Sequence, residues 1–223
     1  MGDVVLNVLP LILVAAISPF PIIVNLLLLQ REDGVSKATA FIGAIVLVRL
    51  VQGVLFGIVI REAESGEPTA TRQLITAILL LVVGLLMIIS GVRLLLKEDD
   101  PDDPPKSTGR LDQITTVKAF GLGLLLVGIS AKQWVFMLSS LAVIGEGELG
   151  RTSSIVSYLI YVIGATSLLL IPYLARLAIP SRSEPMMRAT VAWLERNNRY
   201  IKIAVSFLFG IYFLGKALSS LLG

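Results

Sequence analysis

Six stretches of this chain, residues 4–29, 36–60, 72–96, 115–144, 152–179 and 200–222, are almost uninterruptedly apolar. Each is about long enough to cross a bilayer, for which a helix needs ~20 residues. Hydrocarbon offers backbone N–H and C=O groups no partner, so only helices and closed barrels can span it. Runs this long are not the ten-residue alternating strands of a barrel. The reading is an all-α integral membrane protein with six transmembrane helices. Composition agrees, with 55% hydrophobic residues and a mean hydropathy of +0.86, against ~45–50% apolar content in soluble domains.

Charge between the runs gives the expected orientation, because Lys and Arg concentrate on the cytoplasmic side. Arg31 and Lys37, five basic residues from Arg93 to Lys118, and six from Arg176 to Lys202 fall on one side. Only Arg61, Arg72, Arg151 and Lys216 fall on the other. Both termini are therefore expected outside, with the first, third and fifth connections in the cytoplasm. The start, Met-Gly-Asp, has no positive flank, so the first run reads as a retained span rather than a secretory signal. Leu6 stands where a myristoylation motif wants Ser or Thr, so no lipid anchor is expected.

The connection at 97–114 carries Glu98-Asp99-Asp100-Pro101-Asp102-Asp103-Pro104-Pro105, a tract that cannot bury apolar surface and reads as a cytoplasmic tether. It divides the chain into residues 1–96 and 115–223, with three spans in each. An odd number of spans per half makes the halves insert in opposite senses, as inverted three-helix repeats. Within the second half, Met187, Val191 and Leu194 recur at helical spacing beside Trp193, with arginines around them. That pattern predicts a short interfacial helix near 184–198, read as a linker resting on headgroups.

The absence of cysteine and histidine removes disulfides, thiolate metal sites and imidazole acid–base chemistry. No nucleophile–base pair, phosphate loop or metal-ligand cluster is present, so an enzyme is not expected, nor a cofactor or metal. The formal charge of +3 is spread between apolar runs, which gives nucleic acid no continuous face.

Candidate site residues lie where the spans are interrupted. Ser18-Pro19-Phe20-Pro21 falls inside the first run, where proline removes backbone donors and breaks the helix. Ile129-Ser130-Ala131-Lys132-Gln133 occupies the matching place in the fourth. Among the basic residues, Arg49 sits at the middle of the second run and Lys132 lies within the fourth, just after the Ser130 break, with no Asp or Glu at comparable depth. Intramembrane charge is costly and marks function, and here the counter-charge is expected from an anionic substrate. Hydrogen bonds to carbonyls freed by a kinked neighbour are the alternative for Arg49, and snorkelling to water is the alternative for Lys132. Asn25 and Gln52 add amides, with Gln52 three residues from Arg49 on one helix face. Such amides also serve as glue between spans.

Ser18-Pro19-Phe20-Pro21, the Gly34 turn with Ala38, Ala40 and Gly43, and Ser130-Ala131-Lys132-Gln133-Trp134-Val135-Phe136 resemble the lysine-exporter superfamily. Within it the likeness is to the glycopeptidolipid- and sulfolipid-addressing (GAP/Sap) proteins. The resemblance implies export or relocation of small polar solutes or complex lipids across a prokaryotic inner membrane, and with the glycine-rich spans it is compatible with a homodimer. Ser130-Ala131 stands where that superfamily usually has Asn-Pro, so the second break is expected to be the softer. Cation-handling and thiol-relay branches use embedded acids and paired cysteines, both missing here.

The expected function is a transporter-like protein that exports or relocates an anionic or zwitterionic small molecule or lipid. The sparse polar lining favours a lipid over an amino acid. Binding is assigned to Ser18, Pro19, Pro21, Asn25, Arg49, Gln52, Ser130, Lys132 and Gln133. An amino-acid exporter and a non-transporting scaffold protein are the alternatives.

Overall fold

The computed structural model describes residues 1–64, 69–96 and 114–222. The acidic tether at 97–113 lies outside them. The described chain is all-helical, with α1 (Gly2–Ala16), α2 (Pro19–Leu29), α3 (Gly34–Glu64), α4 (Thr69–Leu95), α5 (Thr116–Gly128), α6 (Ala131–Glu146), α7 (Arg151–Ala178) and α8 (Pro180–Leu222). Four helices are long and apolar enough to cross a membrane, within α3, α4, α7 and α8. The pairs α1/α2 and α5/α6 reach that length only together, and each pair bends at its break. The chain is a multi-pass membrane protein with four to six spans.

The first break follows from its prolines. Pro19 and Pro21 have no N–H to offer the carbonyls of Ala15 and Ile17, so the α-helical ladder stops. Ser18 N–H turns back to the Ala16 carbonyl at 2.8 Å, and Ile17 adopts φ −79, ψ 61, which is an inverse γ-turn. Ser18 is extended, as a residue before proline should be. α2 then starts with proline at its first and third positions. In lipid this removes two donors that an opened helix end would leave unpaired.

The second break forms without proline. Ser130 is extended and its Oγ accepts from Gln133 N–H at 3.4 Å, capping α6. The indole of Trp134 donates to the Gly128 carbonyl at 2.8 Å, satisfying one acceptor at the end of α5. The two bends are 60° and 65°, so the second is no softer than the first.

Around the breaks, α1 packs on α7, α5 on α3, α2 on α8 and α7, α6 on α4 and α3, and α4 runs along α8. Gly123 lets α5 meet α3 backbone to backbone. A Cβ there would lie 2.5 Å from the Phe41 carbonyl oxygen and 2.9 Å from the Ala44 side chain. Two apolar clusters result. One joins α1, α4, α6, α7 and the end of α8, and the other joins α2, α3, α5 and the start of α8.

α8 departs from the expected layout. Helical structure runs without interruption from Pro180 to Leu222, 43 residues or ~65 Å, so the segment near 184–198 is no separate helix. Its apolar stripe is not laid on headgroups either. Met187, Val191 and Leu194 are buried in the cluster that holds α2, while Trp193 stays 55% exposed.

Candidate functional site

A cavity of about 120 Å³ lies where the two breaks meet. By liquid volume it holds roughly four waters, enough for a small polar head group and too little for a lipid body. One wall is the continuous stretch Val14 to Pro21, and the opposite wall runs from Leu126 to Phe136. Met87 of α4, Ala165 and Leu169 of α7, and Val205 of α8 close it. Its apolar lining draws on both clusters, so the cavity is the seam between them.

Three cations line this space: Arg49, Lys132 and Lys202. Three hydroxyls join them, Ser18, Ser130 and Ser206, together with Gln133, and among the described residues no Asp or Glu lines the cavity. The C-terminal ends of α1 and α5 and the N-terminal ends of α2 and α6 all converge here. Their partial charges of about half a unit oppose one another, so the three cations dominate the cavity's own lining. The two breaks differ chemically. Prolines at two of its first three positions leave α2 few donors, whereas Ala131 and Lys132 N–H stand at the capped start of α6. The backbone share of anion binding therefore falls to α6.

Arg49 is 4% exposed. Its Nη1 donates to Thr166 Oγ1 at 2.8 Å and its Nη2 to Gln133 Oε1 at 3.2 Å. Thr166 passes its own proton to the Val162 carbonyl at 2.7 Å. Tyr158 donates to the Arg49 backbone carbonyl at 2.7 Å, and its ring fills the space left by the missing side chain of Gly53. The guanidinium is thus held by neutral groups on α6 and α7, with its charge uncompensated by a carboxylate in the cavity.

Seven of the nine residues expected at the site come together here: Ser18, Pro19, Pro21, Arg49, Ser130, Lys132 and Gln133. Asn25 and Gln52 do not line the cavity. Asn25 is fully buried and donates through Nδ2 to the Leu169 carbonyl at 2.9 Å, tying α2 to α7. Gln52 is buried one turn beyond Arg49. Lys202 and Ser206 are functional candidates that the sequence reading assigned to the membrane boundary or passed over. The 3–4 stripe Met187, Val191, Leu194, Asn198, Ile201, Val205 signals that the helix continues through this region, but neither Lys202 nor Ser206 lies on it.

The chain matches no curated protein and no solved structure. The model of one family, described as Sap, sulfolipid-1-addressing protein, matches residues 8–219. That match covers nearly all of the sequence, and the chain belongs to the Sap, sulfolipid-1-addressing protein family.

Proposed function

We propose that this protein exports or relocates an anionic or zwitterionic amphiphile across a prokaryotic inner membrane, holding its head group between the two helix breaks. The observation that carries the reading is the cavity whose described lining holds Arg49, Lys132 and Lys202 and no Asp or Glu. Its size suits a head group, leaving the tail to lipid, and the sulfolipid in the family description is one such amphiphile. An amino-acid exporter is the runner-up, since a carboxylate would also answer the three cations.

On this reading α1/α2 and α5/α6 each count as one crossing, which gives six spans, both termini outside, and kinship with the lysine-exporter superfamily. The helix packing supports two inverted repeats, 1–96 and 115–223. Exchanging α1/α2 with α5/α6, α3 with α7 and α4 with α8 carries the α3–α5 contact onto α7–α1. The same exchange carries α4–α6 onto α8–α2 and α3–α6 onto α7–α2, and every one of these pairs is in contact. Interrupted spans at corresponding places in such repeats build the substrate site of many secondary transporters.

One observation favours the scaffold alternative: Arg49 is already bonded to Thr166 and Gln133. Transbilayer movement of a fluorescent alkyl-sulfate lipid in proteoliposomes separates the two. The transport reading expects Arg49→Ala and Lys132→Ala to abolish movement, and unchanged movement in both variants removes it.

A further inference from the structure

Buried polar groups in the hydrocarbon region need partners, and Gln52 has none among the described residues. It is 3% exposed, and neither Nε2 nor Oε1 meets a donor or acceptor. Three buried hydroxyls share this condition: Thr76 on α4, Ser139 on α6 and Ser157 on α7. A Ser or Thr inside a helix can always turn its proton onto the carbonyl one turn back. Ser140 and Thr166 do so here, to Phe136 and Val162. Thr76, Ser139 and Ser157 do not.

All four groups lie beyond Arg49 toward one end of the bundle, where α3 and α6 finish and α4 and α7 begin. The contacts fix that direction. Arg49 meets Gln133, and eight residues further along both helices Gly57 meets Leu141. Gln52 is one turn past Arg49, on the face that Arg49 turns toward α6 and α7. Unpaired buried polar groups in such numbers are the mark of ordered water or of a passing polar solute.

We infer that Gln52 and Ser139 belong to a hydrated step that continues the central cavity from Arg49 toward the α6–α7 end and admits small hydrophilic solutes. This rests on the transport reading and adds the route by which polar groups leave the cavity. It also explains why Gln52 carries an amide at a position outside the cavity wall.

The chain contains no cysteine, so single replacements report without background. Gln52→Cys, Ser139→Cys, Ser206→Cys and Val83→Cys are each exposed in proteoliposomes to a small anionic methanethiosulfonate. Ser206 lines the cavity, and Val83 is fully buried in apolar packing. The expected result is modification at 52 and 139 at least tenfold faster than at 83. Reaction at 206 with 52 and 139 as slow as 83 overturns the hydrated step and leaves the cavity reading standing. Silence at 206 as well overturns both.

Discussion

Replacing Arg49 with methionine separates a binding role from a structural one, because the structure predicts different sizes for the two effects. Methionine keeps an unbranched chain and removes the charge. Two hydrogen bonds from a charged donor are lost, at 2.8 and 3.2 Å, worth about 1.5–3 kcal/mol each. Thr166 stays satisfied through Val162, so only Gln133 Oε1 loses its partner. Against this, a guanidinium 4% exposed no longer has to be held out of water, a relief of several kcal/mol. The terms nearly cancel, so stability should change by no more than about 2 kcal/mol, a shift of roughly 4–8 °C at this chain length. Binding of an anionic head group loses one charge-assisted hydrogen bond, about 2–3 kcal/mol, or a roughly 30- to 150-fold weaker Kd. Trp134 follows the cavity-lining Gln133 in sequence and Trp193 is 55% exposed, so a Trp193→Phe background leaves one indole, next to a residue of the site. Its fluorescence is titrated in nanodiscs with dodecyl sulfate and, as control, an alkyltrimethylammonium of equal chain length. A large loss of thermal stability with unchanged sulfate binding refutes the reasoning, as does equal affinity for the cationic amphiphile.

Lys202→Gln should weaken dodecyl sulfate binding by about two- to tenfold, the scale of a partly solvated charge contact. Arg199→Gln, whose guanidinium donates to the Leu95 carbonyl outside the cavity, should leave binding unchanged in the same titration. Gly123→Ala should destabilise by about 1–3 kcal/mol through overpacking against Phe41 and Ala44. Gly121→Ala, with nothing within 4 Å of the added carbon, should be neutral or slightly stabilising, and thermal melts of the pair decide. The double variant Pro19→Ala, Pro21→Ala restores two helix donors and should straighten α1 onto α2. From helix rise, their combined length is about 39 Å when straight and about 34 Å at the observed 60° bend. Spin labels on Leu6→Cys and Gln30→Cys should therefore move apart by about 5 Å, and an unchanged distance means that the surrounding packing, not the prolines, sets the bend.

Much of the site was legible because its residues break a local rule in view of the sequence alone. Prolines inside an apolar run and a charge at mid-span conflict with their surroundings, and such conflicts concentrate at functional positions. What the sequence could not show was depth. Arg49 and Gln52 share a helix face, but one turn of rise, about 5 Å, puts one in the cavity and the other beyond it. Lys202 misled in the opposite direction. A lysine at the head of an apolar run looks like a boundary charge, and only the unbroken helix from Pro180 shows that residue 202 lies beside the Ser18 break.

The position of Lys202 has a consequence for how the two breaks work together. α8 packs its first part on α2 and its last part on α4, and Lys202, Val205 and Ser206 meet the cavity between those contacts. α6 holds Arg49 through Gln133 and also packs on α4. Arg49 stands on α3, in the cluster that holds α2, and bonds to Thr166 and Gln133 on α7 and α6, so its guanidinium itself bridges the seam while Lys202 lines the same cavity from α8. On the proposed reading an anionic head group in the cavity would meet Arg49 and Lys132 beside the second break and Lys202 on the helix that packs on α2, so both breaks contribute to one site.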